Sequence, residues 1–431
     1  MDITKSKYLN LIRLLRNERR SLDELIHNQN IALQKLVRHS YNTVKFYKTL
    51  FDSHGLHPED IKTFEDITKI PIIDKNTLQQ NSFEDLTSKD YKKGKLIPVT
   101  TTGSSGIMLK FFIDKRFDQL RKAQFLRPYI TNGRGLFDKT LVFSAPKPAI
   151  KKWFQHLGFM AEKRVFYNTG TFEQIYEIQK IKPVIIQGCA SVLNLIALMI
   201  IDKNIPIPKP RLVFTDSEVL TCNMKENIKK AFDAKVIDIY GTYETDNIAY
   251  ECLNQNGYHI AADCVLMEFI RDGKKTGPFE EGEIIVTVLN NFAMPFIRYN
   301  LHDIGSYSDR TCSCGRTFPL LNKIRGRSDN YIVTPEGQRI AFVNFGAYLH
   351  PLTKFVYEFQ IIQEDISTFT VFIVPNNSFN NDECKNTVAS VIYKYFPDAD
   401  IDFKIVPSIK REGAGKLMTF ISKVTWPVQN M

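Results

Sequence analysis

Between Asp138 and Tyr240 short apolar runs alternate with helical ones, and this alternation limits the fold more than any other feature of the chain. Thr140-Leu-Val-Phe-Ser144, Arg164-Val-Phe-Tyr167, Pro183-Val-Ile-Ile-Gln-Gly188, Leu212-Val-Phe-Thr215 and Val236-Ile-Asp-Ile-Tyr240 read as strands. Thr171–Lys180, Val192–Ile201 and Met224–Phe232 carry the wider spacing of helices between them. Strand, helix, strand in this order builds a parallel α/β sheet, because each helix carries the chain back to start the next strand. Ligands of such sheets bind beyond the carboxyl ends of the strands. Thr215-Asp-Ser-Glu218 and Tyr240-Gly-Thr-Tyr-Glu244 fall at those ends.

The flanks differ in character. Lys5 to Phe51 reads as helices, and Arg13, Arg16, Arg19 and Arg20 make either a solvated face or a stripe for a partner or membrane surface. Beyond Asn330, the strands Phe359–Gln363, Phe369–Val374 and Ile401–Val406 and a helix Glu383–Tyr395 predict a compact α+β lobe of about a hundred residues. With 431 residues, one core does not suffice. The expected class is α/β: a large N-terminal domain over 1–326, with parallel sheets and a helical lead-in to about residue 75, then a small mobile lobe over 327–431.

A formal charge of +10 suits anionic ligands such as nucleotides, but the basic residues are dispersed and no nucleic-acid module stands out. Specific nucleic-acid binding is not expected. Neither a signal peptide nor a membrane-spanning run is visible, and seven scattered cysteines suit a reducing compartment, so a cytoplasmic location is expected.

Five groups of residues carry chemistry. Thr100-Thr-Thr-Gly-Ser-Ser-Gly106, lying between two predicted strands, can wrap an anion with hydroxyls and amides or can be a simple turn. It lacks the Lys-Ser/Thr of a Walker loop. In the Tyr240–Glu244 segment an aromatic ring can stack on a base, Gly241 allows close backbone approach, and Glu244 can hold magnesium. Glu283 to Asn291 begins as a strand, Pro295 interrupts it, and Phe296-Ile-Arg-Tyr299 resumes it, with Asp303 expected just beyond. Arg325 and Arg327 flank Gly326 with fork-shaped donors for phosphate or carboxylate. Cys252, His259, Cys312 and Cys314 make a sufficient set for structural zinc, with Cys264 in reserve.

The order Leu-Asn-Asn-x-Ala-Met-Pro-x-Ile-Arg-Tyr, Asp303, Cys-x-Cys-Gly-Arg and Gly-Arg-Ser-Asp329 resembles the phenylacetate–CoA ligase and capsule-synthesis (CapK-like) branch of the adenylate-forming enzymes. The resemblance extends over nearly the whole chain, with Met108 and Tyr243 standing where the family usually has proline and a small hydroxyl residue. It implies that ATP phosphates are held by Thr101, Thr102, Gly103, Ser104, Ser105 and Gly106, with Ser217, Gly241 and Thr242 also at the nucleotide. It implies adenine packing for Tyr240, magnesium for Glu244, the ribose hydroxyls for Asp303, and ribose or phosphate for Arg327. Lys416 would be the catalytic lysine and Asp329 the hinge. The implied reaction joins a small carboxylic acid to AMP with loss of pyrophosphate and then passes the acyl group to coenzyme A. An acceptor other than CoA, or a non-catalytic nucleotide-binding descendant, is the alternative. A homodimer is left open.

Overall fold

The computed structural model describes residues 4–101, 109–145, 158–328, 330–411 and 415–424. They divide into two compact units, one formed by 1–135 with 237–324 and the other by 136–236 with 325–431.

The first unit opens with the helices Lys7–Asn17, Leu22–Thr43 and Lys45–Ser53. Ser6 and Ser21 start the first two by accepting from the amides of Leu9 and Glu24, and extended Val44 separates the second from the third. Their apolar faces (Leu33, Leu36, Val37, Tyr47, Phe51) are fully buried and join the main core of this unit. Strands β1 (Ile97–Thr100) and β2 (Lys110–Ile113) pair antiparallel, with Ile97 opposite Ile113 and Thr100 opposite Lys110. The predicted strand–loop–strand arrangement therefore stands on both sides of the hydroxyl-rich loop. Asp114 then caps the helix Lys115–Thr131.

In the second unit β3 (Thr140–Ser144), β4 (Glu162–Phe166), β5 (Ile185–Cys189) and β6 (Leu212–Asp216) form the expected parallel sheet in the order β6-β5-β3-β4. The helices Thr171–Ile181, Ala190–Asp202 and Cys222–Phe232 alternate with them. Every residue of β5 is buried, as suits a strand covered on both faces.

Back in the first unit, β7 (Lys235–Thr242), β8 (Asp246–Glu251), β9 (Tyr258–Ile260), β10 (Val265–Arg271), β11 (Lys274–Lys275), β12 (Gly282–Val288), β13 (Tyr299–Ser308) and β14 (Leu320–Arg327) lie in the order β11-β10-β12-β13-β14-β9-β8-β7. β10 pairs antiparallel with β11 and β12, β12 with β13, β14 with β9, β9 with β8 and β8 with β7. Most of this sheet goes beyond the sequence reading, because its strands follow one another without intervening helices and give no helix–strand alternation. One expectation is corrected here. Phe296 to Arg298 is not strand, and Asp303 lies inside the ten-residue β13 instead of beyond its end. Arg298 takes φ +49°, and its carbonyl and the Asn300 amide bond to Ile73, so the ladder begins only at Tyr299.

The C-terminal segment adds a hairpin, β15 (Tyr331–Val333) with β16 (Arg339–Ala341). A separate sheet of β17 (Val356–Asp365), β18 (Thr368–Pro375), β19 (Asp400–Ile405) and β20 (Phe420–Ser422) follows, in the order β19-β18-β17-β20. The helix Asn381–Tyr393, capped by Asn380, packs its Cys384, Val388 and Ile392 on that sheet's core. The strands and helix expected for an α+β lobe are all present.

Candidate active site and metal centre

Tyr240 and Glu244 lie on the β7–β8 hairpin, each against a residue of β13. Thr242 pairs with Asp246 across the three residues Tyr243, Glu244 and Thr245, and a bulge falls between Tyr240 and Gly241. Asp246 adopts φ +61°, the left-handed residue that such short loops use to close. Gly241 is obligatory here: a Cβ on it would lie 2.3 Å from the Asp246 carbonyl oxygen. Arg121 holds the loop from outside, donating to the Tyr243 carbonyl at 2.8 Å and pairing with Asp246 at 3.4 Å. Burial pushes the Asp246 carboxyl above its usual range, and Arg121 pulls the other way.

The tip presents two carboxylate–phenol pairs. The Tyr240 hydroxyl donates to Asp303 Oδ2 at 2.7 Å, and the Tyr299 hydroxyl donates to Glu244 Oε1 at 3.2 Å. Both carboxylate residues and Tyr240 are nine-tenths or more buried. Asp303 reaches Tyr240 because β13 bulges: Glu283 faces Ile304, but Ile285 already faces Asn300, so Leu301, His302 and Asp303 crowd opposite Ile284. His302 takes φ +57° within that bulge. The structure thus sets Tyr240 against Asp303 and Glu244 against Tyr299, and the sequence reading did not single out Tyr299, Arg121 or Asp246. No spacing rule signals them; a tyrosine and an ion pair acquire their place only through sheet register.

The Thr242 hydroxyl bonds that of Thr245 at 3.0 Å and is therefore part of the hairpin's own closure. Tyr243 is 39% exposed. Thr101 is buried, and its hydroxyl accepts from the Leu109 amide at 2.9 Å across the base of the loop. Thr102, Gly103, Ser104, Ser105, Gly106 and Met108 lie outside the described residues, as does Asp329. A cleft of about 910 Å³ in this unit, between Arg38, His39, Tyr91 and Phe292, is lined by Asn290 of the Leu-Asn-Asn motif but by none of the candidate site residues.

The metal-ligand set is assembled at one point. Ligand atoms of Cys252, His259, Cys312 and Cys314 all lie within 4.8 Å of one another. The Cys252 and Cys312 sulfurs are 3.6 Å apart, and Cys314 Sγ is 3.3 Å from His259 Nε2. Tetrahedral sulfurs about 2.3 Å from zinc would be separated by about 3.8 Å, so the spacing fits that ion. Burial and Arg316 hold the His259 imidazole down at about 4, hence neutral as a ligand must be. Burial pushes Cys312 up to about 12. Burial acts likewise on Cys314, but the Arg316 amide and guanidinium outweigh it and hold this thiol below its usual value. Cys264 is not in the set; it lies buried against Arg127. Arg316 also donates to Glu18 at 2.8 Å and to the Thr131 carbonyl at 2.9 Å, tying the knuckle to the ends of the helices Lys7–Asn17 and Lys115–Thr131.

In the second unit, Asp216 ends β6 and accepts from Ser217 at 2.8 Å and from Gln187 at 2.9 Å. Ser217 is exposed with φ +70°. Arg325 and Arg327 are half-buried along the end of β14. Lys416 is half-buried, and its charge is felt at Cys189, whose thiol is nevertheless pushed up by burial and by Asp216 and Glu218. Among the described residues the Lys416 ammonium has no ion-pair partner.

Residues 332–423 match the CapK C-terminal domain. Protein CapK of Staphylococcus aureus is 23% identical over 98% of this chain and 93% of its own. The phenylacetate–coenzyme A ligase of Aromatoleum evansii is 29% identical over 73% of each chain. Among solved structures, 2-hydroxyisobutyryl-CoA ligase with 2-HIB-AMP in the postadenylation state superposes with a TM-score of 0.75 at 18% identity, covering 95% of this chain and 91% of that one. ATP-bound MatB from Rhodopseudomonas palustris gives a TM-score of 0.52 at 13% identity, covering 78% and 68%. The chain is therefore a homologue of CapK and of the phenylacetate–coenzyme A ligases, carrying a CapK C-terminal domain on the fold of the acyl-CoA ligases that work through an adenylate.

Proposed function

We propose that the protein is an AMP-forming acid–thiol ligase. A carboxylate oxygen attacks the α-phosphorus of Mg-ATP, the bond from that phosphorus to the bridging oxygen breaks, and pyrophosphate leaves with the electron pair. The thiol of coenzyme A then attacks the acyl carbon of the adenylate, its proton passes to solvent, and AMP departs. No general base is needed in the first step, because a carboxylic acid is already ionised near neutral pH.

The 2.7 Å contact between Tyr240 and Asp303, sixty-three residues apart, carries this reading, because it joins two motifs that the resemblance gives to the nucleotide. Asp303, held by the Tyr240 phenol, would accept from the ribose hydroxyls while the tyrosine ring walls the adenine. Glu244, steadied by Tyr299, would place the magnesium that arrives with ATP. Thr101 and the loop after it, with Ser217, Gly241 and Thr242, would face the phosphates, and Arg327 the ribose or a phosphate. Lys416, without an ion-pair partner among the described residues, would supply the cation for the pentacoordinate α-phosphate. The lobe over 327–431, swinging at Asp329, would bring this lysine and take it away. The Cys252–His259–Cys312–Cys314 set would hold a structural zinc, since protein fills all four positions. Seven free cysteines favour a reducing, cytoplasmic setting.

The test is exchange of labelled pyrophosphate into ATP over a panel of aromatic, fatty and amino acids, beside Lys416→Ala. Exchange with one acid class, lost in the variant, supports the reading; tight ATP binding with no exchange for any acid overturns it. A second reading, transfer to an acceptor other than CoA, draws on the CapK-type domain and the 98% coverage by a CapK relative. Acyl-adenylate formation without thioester when CoA is added would favour it.

A further inference from the structure

Lys416 follows the turn residue Gly415, and its neighbours are tied down while its ammonium has no ion-pair partner among the described residues. On one side Arg411, its side chain only 6% exposed, donates to the Gly415 carbonyl at 3.2 Å and to the Ser191 hydroxyl at 2.6 Å, and it pairs with Glu358. On the other side the Leu417 amide donates to Glu218 Oε1 at 2.5 Å. Gly415 lies flat on the Tyr167 ring: at φ +105°, a Cβ would come within 2.8 Å of the ring's Cγ.

Both ties converge on one place, the first turn of the helix Ala190–Asp202. Its cap position, Cys189, offers no side-chain cap, and Glu218 takes over by accepting from the Ser191 amide at 2.8 Å through Oε2. One carboxylate thus spans a helix start and the lysine loop, each oxygen taking a backbone N–H. Such charge-assisted bonds are about twice as strong as neutral ones, and a helix N-terminus favours the negative charge. Glu218 can do this because it follows the left-handed Ser217 at the carboxyl end of β6.

We propose that Glu218 and Arg411 form a latch that docks the Lys416 loop on the first turn of the helix Ala190–Asp202, with both acting as positioning residues for the lysine. This rests on the reading of Lys416 as the adenylating lysine. The Arg411–Glu358 and Arg411–Gly415 contacts lie within 325–431 and travel with that segment. The bonds from Leu417 to Glu218 and from Arg411 to Ser191 join it to 136–236 and must break when the loop leaves. The latch therefore favours adenylation over acyl transfer.

The test is amide hydrogen exchange across Lys416–Phe420 in the full chain, comparing wild type with Glu218→Gln and, should that variant fold poorly, with Ser191→Ala. The latch predicts exchange at Leu417 at least about tenfold faster in Glu218→Gln, the scale of one lost bond to a charged group, with β17 and β18 unchanged. Unchanged exchange in both variants overturns it. With an acid that supports pyrophosphate exchange, Glu218→Gln should lower kcat for adenylation about tenfold while leaving KM for ATP and acyl transfer from preformed adenylate unaltered. Equal loss in both half-reactions overturns the positioning role. If wild type exchanges no pyrophosphate, the ligase reading fails, and the Leu417 amide still decides the latch.

Discussion

Tyr240 shows how one side chain serves two neighbours: its ring stays in the core while its hydroxyl reaches a carboxylate that would otherwise be buried without that donor. Tyr240→Phe keeps the ring and removes the donor. The expected result is a KM for ATP about tenfold higher with kcat little changed, the size of one hydrogen bond to a charged group, measured by pyrophosphate exchange. An unchanged KM would separate Asp303 from nucleotide binding. Lys416→Ala should instead lower the adenylation rate by about 10²–10³-fold, as for other preorganised charges at a developing anion, with ATP binding retained by calorimetry. Tyr240, Asp303 and Lys416 were marked as candidates by local motifs, whose residue types and order survive in the sequence. Tyr299, Arg121, Glu218 and Arg411 were not legible, because their roles depend on partners 55, 122, 199 and 220 residues away.

At the scale of elements, the β7–β8 hairpin and the cysteine knuckle each depend on a close approach of backbone or ligand. Gly241→Ala would drive a methyl group into the Asp246 backbone, so the hairpin must open. We expect a loss of roughly 1–3 kcal/mol, as for other overpacked sites, and loss of pyrophosphate exchange; chemical denaturation would measure the first. The knuckle should hold one zinc per chain by elemental analysis, and Cys314→Ser should remove it. Because Arg316 joins Cys314 to Glu18, loss of the ion should also loosen the turn between the first two helices, read as faster hydrogen exchange around Asn17–Ser21. Zinc content at the level of wild type in the serine variant would rule out this ligand set. The sequence supplied these four candidate ligands by type, but the irregular spacing between the pairs could not show that the end of β8, β9 and the loop before β14 converge.

For the molecule as a whole, pH acts through a buried carboxylate beside Arg411. Burial pushes Glu358 up to about 6, Arg411 opposes the rise, and Glu218 adds to it. With the folded value above the ordinary 4.5, its contribution to stability is fully present below about 4.5 and is lost as pH rises through about 6. The swing is about 2 kcal/mol. Glu358→Gln should therefore compare more favourably with wild type near neutrality than near pH 4.5, by up to that amount in denaturant midpoints; a pH-independent difference would contradict the shift. The alternation of apolar runs and helices by itself determined the parallel sheet, since a strand buried on both faces needs an unbroken apolar stretch and a helix to return the chain. Composition and motif order likewise determined the helical lead-in and the α+β lobe, and marked the candidate nucleotide residues. Only the tertiary structure decided the antiparallel sheet's order, the bulge that turns Asp303 toward Tyr240, and the carboxylate that ties the Lys416 loop to a distant helix. Register and long-range hydrogen bonds join residues far apart in the chain, and no local pattern records which partner each will meet.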